Sequence, residues 1–248
     1  MAVIDGGAYQ VGSDDAEREV GYQLSPPVVR EQQWYDVWEA PAHEVDIERF
    51  AIDRTPVTQG EYAEFVAATG RDAPGIDSLA YLKQGFLVHP FDEARPYLWR
   101  DGLPPQRLAD HPVVLVDRLD AEAFCAWRGK RTGHQVRLPT EIEWEAACRG
   151  STTRLFPWGH EWADGRIQAG ATGTASVRDH PDGATPTGVL DLAGNVFEWT
   201  DTSMRGGDPV LKGCAWDDAP GTCRCAFRHG RPAVSKHILI GFRCAADL

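Results

Sequence analysis

Cys214 and Cys223 flank the tetrapeptide Asp217-Asp218-Ala219-Pro220, which has the composition of a turn. Folding the flanks about that turn brings the two thiols together across a hairpin, where they could bind a metal or cycle as a disulfide. The competing reading is structural, with Cys214 standing in for a small buried strand residue. The run from Asp191 to Glu198 offers two carboxylates and two turn carbonyls within eight residues, the hard oxygen set that Ca2+ takes. The same run also reads as a tight turn capped by acids. Trp216 stands beside Asp217 and Asp218, and an aromatic next to two acids suits a peptide or cationic ligand, unless Trp216 is simply core. No two of the eight histidines share helical i, i+4 spacing with an acid, so a His/His/carboxylate iron site would need distant segments. His229 and His237 are the best placed for one, against the alternative of a solvated or satisfied imidazole. Arg224, Arg228 and Arg243 could grip a carboxylate, although arginines so placed more often tie loops together.

These residues depend on elements that the pattern partly defines. Residues 1–12 alternate weakly and break at Gly6-Gly7, which suggests a short hairpin. Val45, Ile47, Phe50 and Ile52 fall on one apolar side of an alternating run. Thr58 then caps an expected helix that packs Tyr62, Phe65 and Val66 inward and stops at Gly70. From Asp72 to Asp110 periodicity fades, and Tyr81, Phe86, Phe91, Tyr97 and Trp99 lie among Pro and Gly in a stretch long enough to build a site. HPVVLV, residues 111–116, reads as a strand, followed by a helix capped by Asp120 and ended at Gly129. Thr140 with Glu143 forms a capping box for the next helix, which Gly150 closes.

The chain has 248 residues with no repeat or interdomain linker, so one domain over residues 1–248 is expected. Thirty-seven acidic against 25 basic residues give a formal charge of -12, and no Lys/Arg run offsets it, which disfavours a nucleic-acid partner. No apolar stretch is long enough to cross a membrane, and the start MAVIDGGAYQ lacks the features of a secretory signal, which predicts a cytoplasmic protein. Twenty-five Gly, 17 Pro and nine Trp predict a loop-rich fold held by aromatic packing.

The stretches IDRTPVTQGEYAEF, HPVVLV, RLPTEIEWEAACRG, LFPWG, GVLDLAGNVFEW and GFRCAADL follow one another along the whole chain. In that order they resemble formylglycine-generating enzymes and the wider sulfatase-modifying-factor superfamily. The resemblance implies an α+β fold with a C-type-lectin-like twisted sheet core and little regular secondary structure. It implies a structural calcium bound by Asp191, the carbonyls of Gly194 and Val196, and Glu198. It also implies two structural cysteine pairs, Cys125 with Cys244 and Cys148 with Cys225, which a reducing cytoplasm would keep as buried thiols.

Oxidases of this family use a copper-binding thiolate pair in the stretch before RCAFR. Here the stretch KGCAWDDAPGT either has no counterpart of that pair or, in a looser register, places Asp218 at the first position and Cys223 at the second. Both registers break the soft Cu(I) site. Two functions follow as expectations. One is an oxidoreductase-related protein that uses copper, iron or the catalytic pair Cys214 and Cys223. The other is a non-catalytic module whose lectin-like cleft, formed by Trp216, Asp217, Asp218 and Arg228, holds a protein, peptide or small-molecule ligand.

Overall fold

The computed structural model describes residues 1–85 and 88–248, so that Phe86 of the aromatic stretch lies outside the described residues. Both chain ends enter one antiparallel sheet. Strand β1 (Ala2–Ile4) and strand β10 (Ala245–Asp247) flank β4 (Phe50–Ile52), and β5 (Val136–Arg137) pairs with the outer side of β10. The expected N-terminal hairpin does not form: β2 (Gly7–Val11) leaves that sheet and pairs instead with β3 (His43–Ile47). The break at Gly6-Gly7 therefore marks a change of sheet. A third sheet has the order β8 (Arg228–Gly230), β7 (Pro209–Lys212), β6 (Phe197–Ser203), β9 (Ile240–Gly241), with β6 and β9 parallel.

Among the described residues eight α-helices lie between these strands: α1 (Asp15–Gln23), α2 (Pro27–Glu31), α3 (Trp34–Trp38), α4 (Gln59–Thr69), α5 (Ser78–Lys83), α6 (Phe91–Ala94), α7 (Arg118–Thr132) and α8 (Glu141–Arg149). Local chemistry sets the ends of the longer ones. In α4 the Thr58 hydroxyl accepts from the Glu61 N–H while Glu61 accepts from the Thr58 N–H, and Gly70 closes the helix at φ 68°. Thr140 and Glu143 make the same box at α8.

Helix α7 departs from expectation at both ends. Asp117 is its cap and Asp120 the third residue inside, completing a capping box. The helix runs on to Gly133, because Gly129 lies inside it where a Cβ would stand 2.8 Å from the His134 carbonyl. Only glycine allows that close approach of helix and β5.

Residues 113–116 are buried but form no strand. The Val113 N–H donates to the Val57 carbonyl and the Leu115 N–H to the His237 carbonyl, so different neighbours satisfy this backbone in place of a ladder. The main core gathers Tyr62, Phe65, Phe124 and Phe242 between α4 and α7, with the Tyr62 and Phe124 rings stacked at 5.6 Å. All six cysteines are bridged, as Cys125–Cys244, Cys148–Cys225 and Cys214–Cys223.

A buried pair helps fasten the N-terminal helices. Arg224 binds Glu39 through two nitrogens at 2.6 and 3.3 Å, donates to the Gly221 carbonyl, and lies 4.4 Å over the Tyr35 ring. Neither side chain is exposed. A Cβ on Gly21 would come within 2.6 Å of this guanidinium, so α1 packs there only with glycine. Removing one partner leaves the other charge buried alone. Arg224→Met is therefore expected to cost about 3–5 kcal/mol in urea unfolding, and a loss below 1 kcal/mol would contradict the assigned role.

Candidate functional site

The aperiodic stretch of residues 72–110 does build a cleft. Its volume is about 690 Å³, and its lining includes His89, Glu93, Tyr97 and Arg107 from this stretch, Thr174 from the loop after Ala171, and Trp216 with Asp217 from the loop closed by Cys214–Cys223. The last loop is pinned from two sides. The Trp216 N–H donates to the Asn195 carbonyl at 3.1 Å, and the Trp216 carbonyl accepts from the Ala171 N–H at 2.7 Å. Asn195, in the left-handed region at φ 66°, also exchanges side-chain hydrogen bonds with both backbone groups of Ala175. The turn at 191–198 thereby holds two cleft walls at once.

His89 joins those walls. Its Nδ1 meets Glu93 Oε2 at 2.6 Å, its Nε2 meets Asp217 Oδ2 at 2.8 Å, and its ring lies 4.7 Å from that of Trp216. Donating to both carboxylates requires both ring protons. Burial opposes that charge, but the hydrogen bonds and charges of Asp217 and Glu93 outweigh it and hold the imidazole above its ordinary pKa. Sequence reasoning missed this group. His89 and Glu93 do stand at i, i+4, but Asp217 comes from 128 positions away.

Trp216 is only 3% exposed and forms the cleft floor, while Asp217 is half-buried on its wall. Asp218 turns away to accept from the Ala215 N–H at 2.8 Å. Burial first, and the charge of Asp217 second, push its carboxyl up to about 7. Arg228 is not a cleft residue. It donates to the Trp38 carbonyl and pairs with Glu141 at 2.7 Å, because β8 directs it toward α8. Arg224 and Arg243 likewise tie buried segments together.

The donor set expected for calcium does not assemble. Glu198 accepts from Arg243 Nε and Nη2, each at 2.7 Å, and from Trp144 Nε1 at 2.8 Å, with no exposure on either member of the ion pair. Its charge is thus already neutralised. Asp191 accepts from Asn195 Nδ2 at 3.2 Å, and burial pushes its carboxyl up to about 7. The Gly194 carbonyl accepts from the Val196 N–H at 2.9 Å. A buried carboxyl inclined to neutrality beside a carboxylate held by arginine is a poor seat for a dication.

The other metal expectations meet similar obstacles. Cys214 and Cys223 are bonded to each other, and the Gly194 N–H points at Cys214 Sγ at 2.9 Å, so neither presents a thiolate. His229 packs among Trp38, Phe197 and Phe227, whereas His237 stacks on Tyr81. Among the described residues no group of three or more His, Cys, Asp or Glu is arranged to hold a metal ion.

Over residues 1–248 the sequence matches the family described as the Sulfatase-modifying factor enzyme 1-like domain. The chain belongs to this family. It is similar to a formylglycine-generating enzyme of Mycobacterium tuberculosis, 34% identical over 84% of this chain and 91% of that protein. A hercynine oxygenase of Mycolicibacterium smegmatis is also 34% identical, over 85% of this chain, but the match spans only 56% of that protein's length. An inactive C-alpha-formylglycine-generating enzyme 2 of Bos taurus is 30% identical over 99% of this chain and 87% of that protein. Among solved structures, PvdO from Pseudomonas aeruginosa superposes with a TM-score of 0.75 at 24% identity, covering 99% of this chain and 93% of that one. The fold is the mixed α+β fold of formylglycine-generating-enzyme-like proteins, with a curled sheet consistent with a C-type-lectin-like core.

Two outcomes follow from the geometry. Glu198→Gln leaves Arg243 buried opposite a neutral amide and is expected to cost about 3–5 kcal/mol, while a chelator leaves the wild-type melting temperature unchanged. A chelator-sensitive melting curve would reinstate the calcium reading. Asp218 has a folded-state pKa raised from 3.8 to about 7, so its contribution is full below pH 4 and lost as pH rises to about 7. The fall in melting temperature from pH 5 to pH 8 is therefore expected to be smaller in Asp218→Asn than in wild type, and an equal fall in both would remove the assignment.

Proposed function

We propose that this protein is a ligand-binding member of its family and that the cleft takes a small molecule or peptide segment carrying a basic group. The observation that carries the reading is the charge on the His89 wall. Glu93 and Asp217 share a single imidazolium, which leaves that wall with one net negative charge beside the Trp216 floor. A basic group lying against Asp217 would gain a charge-assisted hydrogen bond in a half-buried place.

Family membership does not by itself carry an oxidation, since the relatives include proteins named as an oxygenase, as a formylglycine-generating enzyme and as an inactive counterpart. The oxidoreductase alternative would need a redox centre; the Cys214–Cys223 bridge offers no thiolate to a metal, and as a disulfide couple it is buried away from the cleft's open space. Calcium at Asp191 and Glu198 forms no part of this reading, because Arg243 already balances Glu198. Three buried disulfides suit an oxidising compartment better than the reducing cytoplasm expected from the N-terminal sequence. No helix among the described residues is long and apolar enough to cross a membrane.

The test is titration of N-acetyl-Arg-Gly-Gly-amide, which carries one cation and no carboxylate, followed by tryptophan fluorescence and by NMR of the His89 and Trp216 side chains. Binding is expected to weaken about tenfold in Asp217→Asn, the loss of one charge-assisted hydrogen bond. Absence of binding, or equal binding by the variant, would overturn the reading.

A further inference from the structure

Beyond the acidic wall, the cleft adjoins a second cavity of about 430 Å³, and Arg107 lines both. Two more arginines, Arg95 and Arg100, line the second cavity. Their local structure gathers them there. Arg100 and Leu103 exchange backbone hydrogen bonds at 3.0 and 2.9 Å around Asp101 and Gly102, both at positive φ, the two-residue turn that Asp-Gly favours. Pro104 and Pro105 then lead the chain into the 3-10 turn Gln106–Leu108, whose Leu108 is buried and anchors Arg107 in place. The turn thus sets two guanidinium groups seven positions apart on the walls of one basin.

The three arginines are not equivalent. Arg95 is committed to Asp92 at 2.6 Å and lies over the Phe91 ring. Among the described residues, neither the Arg100 nor the Arg107 guanidinium has a hydrogen-bond or ion-pair partner. This occurs in a chain with a formal charge of -12, where acidic partners for surface arginines are plentiful. The nearby His111 adds no competing charge: burial, with Arg107 a lesser cause, holds its imidazole below the ordinary value, and its Nδ1 meets Thr174 Oγ1 at 2.9 Å. The joined cavities are therefore polarised, with carboxylates at the His89 end and unpaired guanidinium forks at the other.

We infer that Arg100 and Arg107 form a carboxylate subsite, so that the ligand is a zwitterion whose basic group faces Asp217 and whose carboxylate lies in the arginine basin. This rests on the cationic-ligand reading above and adds the second anchor. Planar guanidinium groups bind carboxylates through paired N–H donors, and such bonds are stronger than neutral ones.

The experiment compares N-acetyl-Arg-Gly-Gly with its C-terminal amide, two probes that differ only in the carboxylate, on the full chain. Wild type is expected to bind the free acid about tenfold tighter than the amide, the yield of one charge-assisted hydrogen-bonded contact. Arg107→Gln and Arg100→Gln should each shrink that ratio, Arg107→Lys should restore part of it, and 0.5 M NaCl should reduce it. If the amide binds and the acid binds no better, the subsite falls while the cationic reading stands. If neither binds, both fall. Melting temperatures of the exposed-site variants, expected to match wild type, distinguish lost recognition from lost folding.

Discussion

Arg243 is the side chain on which the remainder of this architecture converges. It lies just before β10, fully buried, and spends its donors on Glu198 of β6, on the Asp53 carbonyl after β4 and on the Leu190 carbonyl. Trp144 of α8 adds its indole N–H to the same carboxylate. One ion pair thus connects the sheet holding the chain ends, the sheet holding β6, and the helix between them. A protein with short strands and many loops has few long ladders to fix the relation of its sheets. Buried, fully hydrogen-bonded charges can define that relation, because any slip would leave a charge without its partner in an apolar setting. Arg224 with Glu39, and Arg149 with Glu145, Lys212 and Glu17, repeat the device elsewhere.

The same logic explains which parts of the fold could be read directly. Capping boxes at Thr58 and Thr140 were legible because their partners are three residues away. The end of α7 was not, since Gly129 looks like a stop signal and becomes an interior contact only when β5 packs across it. Residues 111–116 carry a strand's composition, but their hydrogen bonds go to Val57 and His237, and no local pattern contains that information. Of the candidate site residues, Trp216 and Asp217 were legible from an aromatic beside acids. Arg228 was misread because its partner, Glu141, comes from α8, 87 positions away. His89 was overlooked for the converse reason, its decisive partner lying in the disulfide-closed loop.

That loop spends its cysteines on its own closure. The stretch between β7 and the residues that bind Glu39 carries two cysteines, and each is used on the other. Closing the loop with a bridge fixes Trp216 and Asp217 relative to Asn195 and Ala171, which is a positioning role for the two cysteine sulfurs. The turn at 191–198 is likewise used to position its neighbours. Its oxygens are engaged by Asn195, Val196 and Arg243, and its backbone carries the cleft floor. Features that look like two metal sites in the sequence are, in the fold, two supports of one cleft wall.

The character of that wall follows from unequal pairing across a strongly acidic molecule. Most arginines near carboxylates are consumed in ion pairs, whereas Arg100 and Arg107 are kept apart from them by the Asp101-Gly102 turn and the two prolines that follow. At the opposite end, one imidazole stands between two carboxylates and cannot neutralise both. A field arranged in this way has little use in holding the fold, since each end would be more stable if paired with the other. Their separation by a cavity makes the charges available to something that enters it, and a ligand able to satisfy both ends at once would gain from each without disturbing the pairs that hold the sheets together.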